Sequence, residues 1–80
     1  MNIHEEAILD SAKQIAVFEE AIKNLKTQQK EFLEQFRDNA TDKTARNICD
    51  IVVEIEKKKD EIKQLKKDIK VNVEELAKTK

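Results

Sequence analysis

The sequence predicts an all-α fold, an antiparallel hairpin of two long coiled-coil-like helices, and three observations support this. The 80-residue chain has no glycine and no proline, whereas tight β-hairpin turns depend on glycine for positive φ angles. Charged residues make up 41% of the chain, and the remainder is rich in alanine, isoleucine and leucine, a composition typical of coiled coils and long helices. Apolar residues recur with a seven-residue period in two separate blocks.

The first block of apolar residues lies between Ile3 and Phe36. Three isoleucines and Phe36 share one core position of its heptads, with Gln29 as the polar member. Phenylalanine and leucine occupy the other core position, after His4 and Ser11. Alanines beside these positions widen the apolar stripe, which predicts packing against more than one neighbouring helix. The residues predicted to enter the self-association core from this block are Ile8, Ile15, Phe18, Ile22, Leu25, Phe32 and Phe36.

The second block begins at Ile48 and continues to Leu76. It has isoleucine or leucine at one core position and a mixed set, which includes Lys58 and Asn72, at the other. Polar core residues of this kind cost stability but fix the register and the oligomeric state of packed helices. The predicted core residues of this block are Ile48, Ile51, Ile55, Ile62, Leu65, Ile69 and Leu76.

The segment RDNATDKT, residues 37–44, separates the two blocks. The blocks are out of phase, because the interval between them is neither a multiple of seven nor a simple insertion of three or four residues. Asparagine, threonine and aspartate compete with the helix and favour its ends. We therefore expect a turn here, with Asn39 in the left-handed conformation and Thr41 or Asp42 as the cap of the second helix.

These observations predict one domain over residues 1–80, with a first helix at 3–38, a turn at 39–41 and a second helix at 42–78. The alternative is one continuous helix in a parallel coiled coil, since neither glycine nor proline enforces the turn. A two-helix hairpin buries one stripe of each helix, usually too little for a stable fold on its own. We therefore predict self-association, most simply a dimer of hairpins that forms an antiparallel four-helix bundle.

Charges beside the two stripes favour the antiparallel arrangement. Lys59 and Lys66 flank the second stripe, and Glu5 and Glu19 occupy the equivalent flank of the first. In an antiparallel pair these flanks face each other, so that opposite charges meet.

Two registers of the hairpin remain open. A turn centred near Ala40 places Phe18 near Ile62, whereas a slide by one helical turn places Gln29 against Lys58. Both registers keep the two apolar stripes in contact.

Lysines dominate one side of the second helix. Residues 56–70 hold seven lysines against four acidic residues, a net charge of +3, whereas residues 1–36 carry −3. The lysines are candidates for contact with a phosphate backbone or an acidic protein. Alternatively, they neutralise the acidic first helix, and without arginine or aromatic neighbours they are poorly suited to reading bases. The candidates are Lys59, Lys63, Lys66, Lys67 and Lys70.

The stretch NICDIVVEI, residues 47–55, is unusually apolar for this chain. Cys49 and Val53 lie off the apolar stripe of the second helix, so the apolar arc is wider than one partner helix needs. We predict a second interface near the turn, with another copy or with a target, formed by Cys49, Val52 and Val53. Cys49 is the single cysteine, so we expect semi-buried packing rather than a disulfide, redox or nucleophilic role.

The sequence argues against catalysis and against bound cofactors. His4 is the single histidine, and a metal site would need ligands from several chains. The absence of glycine removes phosphate-cradling loops, and no pair of carboxylates stands out as a general acid and base. No long apolar run or signal-peptide pattern occurs. We therefore expect no enzyme activity, cofactor, metal, small-molecule ligand or membrane contact, and a cytoplasmic location.

The order of features in residues 18–60 resembles the nucleoid-associated GapR type of helical hairpin found in bacteria and phages. The segment DKTARNIC, residues 42–49, corresponds to a short loop with aspartate and lysine that leads into an apolar and basic second helix. The loop glycines of that family are missing, and residues 51–54, IVVE, stand where the family carries further basic residues. The resemblance implies oligomeric DNA binding, with Lys43 and Arg46 as the contacts.

The sequence therefore predicts a small non-enzymatic protein-interaction module. It oligomerises through its helices and acts as an adaptor or inhibitor of a protein partner by presenting a rigid helical surface. The alternative is a nucleic-acid-binding protein that grips phosphates with the lysines of the second helix. A third interpretation is an oligomerisation segment that spaces the components of an assembly.

Overall fold

The computed structural model describes residues 2–78 and contains two α-helices in that range. Helix α1 covers Ile3–Asp38 and helix α2 covers Asp42–Lys78. The helices pack side by side as a hairpin, a rod of 61 × 15 × 12 Å. The prediction of an all-α helical hairpin is confirmed, and the alternative of one continuous helix is wrong, because the chain reverses between the two helices.

Hydrogen bonds satisfy backbone groups at both ends of α1. Asn2 Oδ1 accepts a hydrogen bond from the Glu5 N–H at 2.8 Å, which caps the start of the helix. At the other end, the Asn39 N–H donates to the Gln35 carbonyl at 2.8 Å. Asn39 has φ −150° and ψ 85°, so the prediction of a left-handed residue is wrong. The extended backbone of Asn39 instead carries the chain across to Thr41, two residues later, which caps α2.

Two threonines build the start of α2. The Thr44 N–H donates to Thr41 Oγ1 at 3.2 Å, and the Thr41 N–H donates to Thr44 Oγ1 at 3.1 Å. This reciprocal pair satisfies two backbone donors in the manner of a capping box. Thr41, one of the two predicted caps, is therefore the N-cap of α2. Asp42 is the first residue of the helix, where a negative charge faces the positive end of the helix dipole.

The core of the hairpin is small and consists of isoleucine. Four apolar side chains are buried, each 5–9% exposed, and no side chain of the described residues is fully enclosed. Phenylalanine and leucine pack against this cluster but stay half-buried. The buried residues are Ile22, Ile51, Ile55 and Ile62, and the half-buried residues packed against them are Ile15, Phe18, Leu25 and Phe32.

The other predicted core residues are less buried than the four isoleucines. Phe36 is the exposed member, at 38%, because α1 ends two residues later at Asp38 and only the first turn of α2 lies beside it. Ser11 is buried although it is polar. The remaining predicted core residues are half-buried: Ile8, Ile48, Leu65, Ile69 and Leu76.

The helices adopt the register that brings Phe18 near Ile62. Phe18 lines a groove with Gln64 and Leu65, and its neighbour Glu19 lines a groove with Ile62. Gln29 shares a groove with Ile55 rather than with Lys58. The alternative register, in which Gln29 faces Lys58, is therefore not adopted.

Candidate interaction surfaces

One long side of the hairpin carries half-buried apolar side chains. Phe18 of α1 and Leu65 of α2 line a groove between the helices there. Leu25 and Phe32 follow Phe18 at seven-residue intervals, which places them on the same side of α1. All of these residues are half-buried in the hairpin. We call this surface the apolar groove, and it consists of Phe18, Leu25, Phe32 and Leu65.

The opposite long side carries lysines from both helices. Phe18 and Lys26 lie four residues before and after the buried Ile22, and hence on the two sides of the buried stripe. Glu19 lines one groove with three lysines of α1 and another groove with three lysines of α2. Lys26 and Lys59 also line a groove together. We call this exposed surface the basic face, and its lysines are Lys23, Lys26, Lys30, Lys59, Lys63 and Lys66.

The lysines of the basic face form no ion pairs across the hairpin. Four ion pairs occur within residues 2–78, and all of them join residues of α2. Lys59, predicted to face acidic residues of α1, pairs instead with Glu56 at 3.7 Å. Only Glu19 of α1 lines the groove in which the lysines of α2 lie. Neutralisation of these lysines by α1 therefore receives no support from the ion pairs of the described chain.

The other basic candidates of α2 are spread around the helix. Lys70 lies one turn after Lys66 and continues the basic face along α2. Lys67 is exposed but is turned by roughly 100° from its neighbour Lys66. Lys43 and Arg46, the contacts that the resemblance implies, lie in the first two turns of α2. At roughly 100° per residue they are turned by more than 130° from Lys59, away from the basic face.

The predicted second interface is divided between two sides of α2. Val52 is 41% exposed and lines a groove with Lys26, at the end of the basic face. Cys49 is exposed, so the expectation of semi-buried packing is wrong in the hairpin. Val53 is 51% exposed and shares a side with Cys49, four residues away. Both are exposed because α1 covers only the side of α2 that carries residues such as Ile55.

A hydrogen bond between polar core residues joins the helices at the end remote from the turn. His4 Nδ1 lies 2.9 Å from Asn72 Oδ1. The Asn72 amide nitrogen donates to the Asp68 carbonyl at 2.8 Å, so Oδ1 is the acceptor and His4 donates from Nδ1. The sequence indicated Asn72 as a polar core residue but missed its partner. The pairing of these two residues depends on the register of the helices, which the heptads left open.

The described part of the chain contains neither a cluster of metal-ligating side chains nor a membrane-spanning helix. Between residues 2 and 78, no group of three His, Cys, Asp or Glu side chains is placed to hold a metal ion. Neither helix, as far as the structure describes it, has the length and hydropathy needed to cross a membrane.

No protein-family model, curated protein or solved structure matches the chain. The resemblance to the GapR type of hairpin therefore rests on the order of features in the sequence alone.

Proposed function

We propose that the chain is a non-enzymatic protein-interaction module that acts as a dimer of hairpins. The observation that carries the proposal is incomplete burial. Only four apolar side chains are buried among residues 2–78, while the side chains of the apolar groove stay half-buried. Burial of apolar surface is the dominant driving force of protein association in water. A second hairpin seated on the apolar groove completes an antiparallel four-helix bundle.

The side that carries the apolar groove is large enough for a stable dimer. The rod is 61 Å long and 15 Å wide, so one side has a projected area of about 900 Å². Specific interfaces bury about 800 Å² per partner, roughly an eighth of the 6224 Å² surface of the hairpin. Each half-buried leucine or phenylalanine that becomes fully buried contributes about 1 kcal/mol. The area and the chemistry of this side both suit a second copy.

The protein partner docks near the turn, where apolar side chains remain exposed outside the apolar groove. Leu33 is 48% exposed and Val53 is 51% exposed, and Cys49 lies beside Val53 on the same side of α2. Exposed apolar residues on a rigid helix are suited to docking against a helix or groove of another protein, and a few such anchors dominate binding energy. The dimer thus serves as an adaptor or inhibitor of that partner.

The dimer is tested with a charge placed in the apolar groove. Leu25→Glu buries a carboxylate at the proposed dimer interface, and we expect it to abolish dimerisation. Val71→Glu is the matched control, because Val71 is 55% exposed on α2 and lies outside the groove. Light scattering after size exclusion measures the mass, and circular dichroism measures helicity. A Leu25→Glu protein with the same mass as wild type would contradict the proposal, whether or not its helicity changes.

The partner surface is tested with a second matched pair. Val53 and Val71 are eighteen residues apart on one side of α2, since this interval is about five helical turns. They are 51% and 55% exposed. We expect Val53→Glu, but not Val71→Glu, to lose the protein that wild type captures from its native host, identified by mass spectrometry. Capture of no protein by wild type would favour the purely structural role instead.

A further inference from the structure

We infer that the basic face binds the phosphate backbone of duplex nucleic acid. This function is separate from the proposed dimerisation and does not depend on it. The basic face and the apolar groove lie on opposite sides of the hairpin, so a dimer formed through the groove leaves both basic faces exposed.

The lysines of the basic face form one band that crosses from α1 to α2. The α1 lysines lie nearer the turn, and Lys26 is linked to Lys59 through a shared groove. From Lys59 the band continues on α2, away from the turn, to Lys66. In the adopted register the band covers about 15 helical residues, or about 22 Å. A duplex with a rise of 3.4 Å per base pair presents about six base pairs over that length.

The band is positive and largely unneutralised. The grooves that define it are lined by six lysines and by two acids, Glu19 and Glu56, which leaves a net charge of +4. Lys59 is the only one of the six with an ion pair within residues 2–78, at 3.7 Å from Glu56. Clustered like charges repel one another on a helix surface. A bound polyanion relieves that repulsion and releases its own counterions.

A duplex fits the basic face better than an acidic protein does. Protein interfaces rely on desolvated apolar or aromatic anchors at their centre. Four apolar side chains line the grooves of the basic face; Ile22, Ile55 and Ile62 are buried in the hairpin core, and Val52, at the end of the band near the turn, is the exposed one. Lysine ammonium groups on flexible stems bind phosphates as point charges. Because no arginine or aromatic side chain lines these grooves, we expect binding that is independent of sequence and strongly dependent on salt.

The α1 lysines provide the sharpest test, because they join the band only through the fold. The probe is a fluorescently labelled duplex of about 20 base pairs, titrated with the full chain over a series of salt concentrations and followed by anisotropy. The variant replaces Lys23, Lys26 and Lys30 by Gln. Each phosphate contact contributes about 0.9 to the salt slope. We therefore expect the slope to fall by about 2 to 3 and the affinity at low salt to fall at least about tenfold.

The matched control removes the same charge elsewhere. Replacement of Lys13, Lys57 and Lys78 by Gln also changes the net charge by −3, but these exposed residues line none of the grooves of the band, and we expect a small effect on binding. Glu19→Gln removes the acid at the centre of the band and should tighten binding several-fold. Loss of helicity would weaken binding, so the tighter binding expected of Glu19→Gln still tests the inference if the triple variants lose helicity.

Three results would overturn the inference. One is the absence of duplex binding by wild type at low salt. Another is an equal loss of affinity in the control triple variant, which would show that binding depends on net charge and not on the basic face. The third is tighter binding of polyglutamate than of duplex at the same salt concentration, which would assign the basic face to an acidic protein.

Discussion

Ile55 is the most buried apolar residue between residues 2 and 78, with 5% of its surface exposed. Truncation of its side chain measures how much the small core contributes to the free energy of unfolding. Ile55→Ala removes three carbon atoms, which at about 0.8 kcal/mol per buried CH₂ corresponds to about 2.4 kcal/mol of transfer free energy. The cavity term is small, because Ile55 borders an open groove that it shares with Gln29 and Lys59. We expect the free energy of unfolding to fall by about 2–3 kcal/mol, the lower part of the range for such truncations.

Urea unfolding followed by circular dichroism measures this loss. The protein concentration has to be the same for every variant, because unfolding of a protein that self-associates is coupled to its dissociation. Ile55→Val removes one carbon and should cost about 0.8 kcal/mol. Val71→Ala is the surface control: its side chain is 55% exposed, and it should change stability by less than about 0.5 kcal/mol. Equal losses for Ile55→Ala and Val71→Ala would refute the assignment of Ile55 to the core.

Two further predictions concern the ends of the hairpin. Thr41→Ala removes the cap of α2 and should lower the free energy of unfolding by about 1 kcal/mol. Thr27→Ala removes an exposed methyl group and a hydroxyl bonded within α1 and should cost less, and the reverse order in urea unfolding would contradict the capping role. A double-mutant cycle of His4→Ala and Asn72→Ala should show a coupling of about 0.5–1.5 kcal/mol. A coupling of zero would show that their hydrogen bond does not join the helices in solution.

The helices could be predicted from the sequence because local chemistry decides them. The polar segment at residues 37–44 interrupts two heptad blocks that are out of phase, so the break could be placed there. Asn39 was misjudged because its conformation depends on the path that the turn takes to the cap at Thr41, which the residue type alone does not determine. Its φ is −150° rather than positive.

The surfaces could be predicted only in part, because they depend on the register. Lys59, Lys63 and Lys66 share one helix, so their spacing indicated a basic side of α2. The contribution of Lys23 and Lys30 was missed, because they belong to a helix with a net negative charge, and only packing brings them to the same side. The hydrogen bond between His4 and Asn72 also depends on the register of the two helices, which the heptad pattern did not decide.

Cys49 and Val53 illustrate a different limit. A wide apolar arc in a sequence indicates an interface without saying what covers it. In the single hairpin both residues are exposed, and the interpretation that they contact a partner stays a prediction. Comparison of Val53→Glu with Val71→Glu addresses it directly.

The central claim is that the hairpin acts as a dimer formed through the apolar groove. Sedimentation equilibrium of the wild-type chain at micromolar concentration measures the mass without assumptions about shape. We expect a mass of twice the 9.3 kDa of one chain, because the four buried isoleucines of one hairpin form too small a core. A fully helical monomer of 9.3 kDa that remains folded at that concentration would contradict the claim.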